Sequence, residues 1–506
     1  MKREDIIARD GSTFPGASFT DAVLRPAYDE AKSVLLPSMI QIHRGHLVML
    51  HSQGLLSDAD AATIAGSIDG LDLDAIAASE YTGEYEDLFF TVESQMLALG
   101  GDAVGNLHIA RSRNDMGMCI YRMVMRHQLL RVLAAAGELY ETLVRLGTEH
   151  SSTLTLEHTH TQPAQPSILG HRLLAIADVL GRDIERVQAA FVTLDYSPMG
   201  GAALTGTAFN IDRDLVAELL GFRGIVENSY DAVASTDYIA HSATALQLMA
   251  IDTGRSCVDF LSWCTAEFGL YKVAAPYVQI SSIMPQKRNP VSIEHSRSLL
   301  SAASASAATV LTMMHNTPFG DIVDTEDDLQ PYMWRSVDVL TKVLHLLSGV
   351  FGTIEVNVEV MRERAMSSFA TTTELADTLF REAGCTFKEA HTIVSRVVRN
   401  ADANGIRDVR ELRAVDVTQT AHDVCGRQVD ISEDSVRRAL NADNFVQIRT
   451  SRGGVAPSEV ARMAADRGQK AEVFAAWHRA RTEHLTGTAE RLERECEALR
   501  RGAEHV

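Results

Sequence analysis

Three polar segments of this 506-residue chain carry side chains whose types and spacing suit work on anions. The first runs from Gly105 to Asp115, and within it Arg113 stands between the Ser112 hydroxyl and the Asn114 amide, just where a helix is expected to begin. A cation flanked by neutral donors and outward-facing backbone amides is a carboxylate receptor. The same residues also suit an ordinary capped helix start with solvated arginines, and both readings stand at this stage. The second segment, Glu157-His158-Thr159-His160-Thr161-Gln162-Pro163, sets two histidines two residues apart ahead of an apolar helical run. Metal ligands, a proton-transfer pair and surface histidines all fit that spacing. Neither cysteines nor an HExxH helix lies nearby, which disfavours a metal. One titratable histidine held by a carboxylate is the favoured functional use. The third segment, Gln279 to Pro290, contains Ser281 and Ser282, then Lys287 and Asn289 between Pro285 and Pro290, with Glu294 one turn into the next helix. It is too polar for a core and too patterned for a linker.

The rest of the chain bounds the class of protein. At about 150 residues per domain the length suggests roughly three domains. The 47 Lys and Arg against 67 Asp and Glu leave a net charge of −20, which repels phosphate backbones and anionic lipid. Neither nucleic acid nor a membrane is an expected partner. Six cysteines without CxxC spacing argue against a disulfide framework or a zinc site and suggest reduced, cytoplasmic thiols. The sequence Met1-Lys2-Arg3-Glu4-Asp5 lacks the apolar core of a signal peptide, so a soluble, untargeted, cytoplasmic protein is expected.

Helices must position the three segments. The 12 prolines leave long proline-free stretches, and small or apolar residues at Ile239, Ala243, Leu246, Ala250, Thr253, Cys257, Phe260 and Cys264 repeat in steps of four and three. That 3.5-residue period predicts a bundle seam. Leu169, Leu173, Ile176, Leu180, Ile184, Val187 and Phe191 keep the same period, and the small residues of Ser301 to Ala308 suit close helix packing. Strand signals are weak, so the fold class is mainly α. The expected units are an N-terminal helical domain over 1–115, a central long-helix bundle over 116–365, and a C-terminal helical domain over 366–506. That last unit opens at the capping-type sequence Thr371-Thr-Thr-Glu374.

With these residues in place, the chain resembles the fumarase/aspartase superfamily, in its argininosuccinate lyase-like branch. Ser281 to Pro290 is similar to the signature Gly-Ser-Ser-x-Met-Pro-x-Lys-x-Asn-Pro, with Ile280 in place of the glycine. Gly105 to Asp115 resembles Gly-Lys-Leu-His-Thr-Gly-Arg-Ser-Arg-Asn-Asp, and Thr159 to Pro166 resembles Thr-His-Leu-Gln-x-Ala-Gln-Pro. Ser197 to Gly200, Ile211 to Arg213, Glu267 to Gly269 and Asn444 to Gly454 fit the same branch.

The resemblance implies a three-domain fold whose central bundle forms the core of a homotetramer, with active sites shared between subunits. It implies elimination of an amine from an N-substituted aspartate to give fumarate, without a metal or organic cofactor. Ser281 would be the general base, Lys287 and Asn289 would hold the carboxylate that turns into a doubly negative aci-intermediate, and Ser282 would bind substrate from the same loop or cap its turn. Preorganised donors at that carboxylate would supply most of the acceleration. The other carboxylate would fall to Ser112, Arg113, Asn114 and Thr159. His160 would pair with Glu294. Glu86-Asp87 stands where relatives carry Glu-Asp-Ile-His, and Phe89 replaces that histidine, so a structural role is expected for it.

The amine pocket departs from the argininosuccinate pattern. Counting back from Pro331, the positions that relatives fill with Tyr, Gln and Lys are Asp321, Glu326 and Leu329. Two neutral groups become acids and a cation is lost, which favours an amine or ammonium over an α-carboxylate. The chain looks similar to the member of this branch that acts on ethylenediamine-N,N'-disuccinate, and that resemblance implies cleavage of this compound to N-(2-aminoethyl)aspartate and then to ethylenediamine, with two fumarates released. Argininosuccinate is the alternative, and an inactive structural oligomer is the alternative of another class.

Overall fold

Five long helices close on one another in a ring. In the computed structural model, which describes residues 2–502, they are α1 (Arg113–Glu149), α2 (Leu169–Leu194), α3 (Asp237–Trp263), α4 (Val291–Met314) and α5 (Gln330–Gly352). Each packs on the next and α5 returns to α1. The two expected seams form this contact: Ile239, Ala243, Leu246, Ala250, Cys257 and Phe260 on α3, and Leu169, Leu173, Leu180, Ile184, Val187 and Phe191 on α2, are all buried. Each leucine taken out of water there contributes roughly 2 kcal/mol. The small residues of α4 bring α5 close enough for Ser336 Oγ to donate to the Ala303 carbonyl at 3.0 Å.

Of the N-terminal helices, Leu36–Ser52 lies against α1, and both it and Asp58–Asp69 lie against the 46-residue helix α6 (Pro457–Gly502). Buried residues from all of these join one continuous core. A second core gathers Leu375, Leu379, Ile393, Val397, Val417 and Val436 from the helices Thr372–Glu382, Phe387–Ala403, Ala414–Cys425 and Glu433–Ala439. The stretch from 366 onward therefore feeds two cores, because α6 turns back and buries Val460, Phe474 and Leu492 with the bundle.

Two local expectations change. Thr371 makes no side-chain cap, and Glu374 instead turns inward to Arg381 and to Arg449 at 3.2 Å, since two cations outcompete a single backbone amide for a buried carboxylate. Strand does form at the second polar segment, where Leu154–Thr159 pairs antiparallel with Gln162–Ile168. No helix among the described residues is long and apolar enough to cross a membrane. The six cysteines are free.

Candidate active site

The first polar segment is an anchored helix start. Ser112 caps α1, and Asp115 answers by accepting from the Ser112 amide at 2.9 Å. Asp115 is fully buried and also accepts from the amides of Gly200 at 2.8 Å and Ala202 at 3.0 Å. Three amides on one carboxylate fix the helix entry, and with it Arg113 and Asn114. Arg113 donates to Asp87 at 2.7 Å, approaches Glu86 at 3.5 Å and lies over the Phe90 ring at 4.7 Å. Asp87 also caps the helix Leu88–Gly100 through the Phe90 amide. The structural role expected for Glu86-Asp87 thus includes holding the receptor arginine.

The second segment is a hairpin tip. Thr159 pairs with Gln162, and the two residues between them, His160 and Thr161, have φ of 49° and 66°. Positive φ at both central positions is the mirror-image turn that suits a two-residue hairpin, and it usually takes Asn and Gly. A β-branched threonine there is strained, a condition that concentrates at functional sites. The base of the hairpin is pinned by Arg172, which donates to Glu157 at 2.7 Å, pairs with Asp259 and stacks 3.7 Å from the Trp263 ring centre. Thr159 and His160 are exposed at the free end.

The third segment is a second hairpin tip, where Gln279–Ile280 pairs with Arg288–Asn289 and the loop between reaches into solvent. Ile280 fits there because its β-branch suits a strand residue. Ser281 Oγ accepts from the Met284 amide at 3.1 Å and the Ile283 amide at 3.3 Å. Donors aimed at a hydroxyl oxygen favour its anion, which is what a serine base requires. Ser282 and Lys287 are exposed and Asn289 half-buried. Ile280 and Ile283 are 74% and 82% exposed, so the loop presents apolar side chains that nothing in the chain covers.

Asp321 and Glu326 gather at the first segment. Asn114 Nδ2 donates to Asp321 Oδ2, and the other Asp321 oxygen is buried without a partner. Burial, followed by the neighbouring Asp321, pushes Glu326 up to about 8. Tyr121, on α1 one heptad beyond Asn114, donates to Asp327, whose carboxyl is raised by burial. Glu30 accepts from Trp334 Nε1 at 2.7 Å and is pushed up to about 7, first by burial. Four crowded carboxyls make a receptor for a cation. Leu329 is fully buried in the main core and bears on this pocket only as packing.

Tyr121, Asp327 and Glu30 were not among the residues singled out from the sequence. The seven-residue step from Asn114 to Tyr121, along one helix face, was the available signal for Tyr121, and adjacency to Glu326 was that for Asp327. Glu30 lies in a stretch without a motif. Within one chain, Asn114 meets Asp321, but no hydrogen bond or ion pair among the described residues joins Ser281, His160 and Arg113 to one another. His160 and Glu294 are both exposed and form no ion pair with each other among those residues. The hairpin tip and the loop tip both face solvent.

Comparison with known proteins matches residues 90–303 to a lyase family and 369–447 to the argininosuccinate lyase C-terminal family. The chain is 39% identical to argininosuccinate lyase 2 of Agrobacterium fabrum over 97% of each chain. It is 32% identical to argininosuccinate lyase 1 of Shouchella clausii over 88% of this chain and 90% of that one. A crystal structure of an EDDS lyase in complex with formate superposes with a TM-score of 0.86 at 30% identity, over 98% of both chains. The chain belongs to the argininosuccinate lyase-like branch of the fumarase/aspartase superfamily and is a carbon-nitrogen lyase that produces fumarate.

Proposed function

We propose that the substrate is ethylenediamine-N,N'-disuccinate, from which the enzyme releases two fumarates and ethylenediamine in two successive eliminations. The observation that carries this reading is the contact between Asn114 and Asp321, with Glu326 beside it. Carboxyls suited to a cation would then stand against the residues expected to hold a succinyl carboxylate, which supports this reading. The ammonium groups of the diamine bridge suit such a receptor, and in the second elimination the distal end is a free amine without a carboxylate, whereas the amino-acid end of argininosuccinate always brings a carboxylate beside its ammonium.

In this reading Ser281 removes the proton beside a carboxylate held by Lys287 and Asn289, and the developing charge is stabilised where those donors already point. Ser112, Arg113, Asn114 and Thr159 take the second carboxylate, and His160 with Glu294 supports the departing amine. These groups meet in a homotetramer, in which one subunit's loop reaches its neighbour's hairpin and helix start. Support for assembly comes from the uncovered apolar loop and from Leu248, Ile251 and Val258, which line an exposed stripe of α3 at heptad spacing. The 39% identity to a protein named argininosuccinate lyase 2 favours argininosuccinate as the second reading.

The pocket is tested by Asp321→Tyr combined with Glu326→Gln; a lysine at 329 is left out because Leu329 is buried. We expect at least a tenfold loss in kcat/KM for the diamine substrate, with the argininosuccinate rate unchanged or raised. Equal losses on both substrates would count against the pocket.

A further inference from the structure

A cavity of about 240 Å³ lies along the 154–168 hairpin, from Thr155 up to the His158–Pro163 pair next to the tip, and against the helix Val358–Ser367. Arg364 and Arg407 line it, and among the described residues no aspartate or glutamate does. Arg364 donates to the Glu267 carbonyl and forms no ion pair among those residues, while Arg407 is paired with Asp402 outside the lining. Thr155, 1% exposed, is on the cavity wall with its Oγ1 lacking any hydrogen-bond partner, and the His158 Nδ1 is buried in the same condition. Buried polar groups are rarely left in that state unless a ligand or solvent satisfies them. Leu270 and Met361 supply apolar wall. An arginine-bearing, acid-free cavity in a chain of net charge −20 is a local reversal of sign, and it selects anions.

We propose that this cavity binds a short dicarboxylate. One carboxylate takes Arg364, Thr155 and His158, the other takes Arg407, and the carbon chain lies on Leu270 and Met361. A bare oxyanion would leave those apolar walls unused. Thr155 and His158 sit on the strand whose end carries Thr159 and His160, so a bound dicarboxylate, of the same chemical class as the fumarate product, fixes the strand behind the hairpin tip. That link to turnover rests on the roles proposed above for Thr159 and His160; binding itself does not.

Equilibrium dialysis of radiolabelled succinate against the full chain tests the site, using wild-type protein, Thr155→Val, Arg364→Gln, Arg407→Gln and Lys287→Ala. Saturable binding should survive Lys287→Ala and, with each cavity change added to Lys287→Ala, weaken at least tenfold. Arg407 is exposed, so its variant keeps the test meaningful if the buried Thr155 or the Arg364 change disturbs folding. Binding that Lys287→Ala abolishes and the cavity variants leave intact would move the anion to the reacting site and overturn the proposal. Absence of saturable binding, or displacement by inorganic phosphate as readily as by fumarate, would overturn it as well.

Discussion

Replacing Glu326 by glutamine should stabilise the protein, and increasingly so as the pH rises. Glu326 is pushed up from 4.5 to about 8, by burial first and by Asp321 second. Between those two values the folded chain holds a proton that the unfolded chain has released, so folding stability falls as pH increases through that window. At 1.36 kcal/mol per pH unit the full shift sets a ceiling of about 5 kcal/mol. Glu326 keeps some contact with solvent and lies beside the titratable Asp321, so we expect about 2 kcal/mol of that to appear. The assay is urea denaturation of wild type and Glu326→Gln at pH 5, 7 and 9. Protomer concentration is held fixed, because assembly contributes to apparent stability. Near pH 5 the two proteins should differ little, since both side chains are neutral there. By pH 9 the variant should be the more stable by about 2 kcal/mol. A difference that stays constant with pH, or that favours wild type at pH 9, would refute the claim that this pocket crowds carboxyls.

Other consequences follow from the same geometry. Ser281→Ala should lower kcat by about 10²–10⁴ while sedimentation shows the assembly unchanged, because the loop tip faces solvent and holds up no core. Asp115→Ala orphans three backbone amides and should cost about 3 kcal/mol in denaturation, together with a rise in KM as Arg113 and Asn114 lose their anchor. Mixing inactive Ser281→Ala with inactive His160→Ala after dissociation and reassembly should restore part of the activity, since some mixed sites would take both intact residues from different subunits. Failure to recover any activity on mixing would place a complete site within one chain.

The bundle was legible because its helices repeat a buried face over many turns, and a period is a redundant signal. Leu246 or Ile184 could be placed from its neighbours alone. The hairpin at Thr159 was not, because its turn is His-Thr rather than Asn-Gly and its strands contain Pro163 and Pro166, which suppress the strand pattern. The inward turn of Glu374 was hidden for a different reason. Its partner Arg449 lies 75 residues away, and local spacing carries no information on such a pair. Likewise Asp321 could be picked as a pocket residue by counting back from Pro331, but its contact with Asn114 spans 207 residues and required the fold. Leu329 shows the opposite limit. Position along the motif marked it as part of the pocket, yet its side chain points into the core.

The central claim, that this lyase acts on a diamine-bridged disuccinate, is tested most directly by ultraviolet detection of fumarate. Purified protein would be offered (S,S)-ethylenediamine-N,N'-disuccinate and argininosuccinate in separate reactions. The acidic pocket predicts release of fumarate from the first and little or none from the second. Turnover of argininosuccinate alone would contradict it.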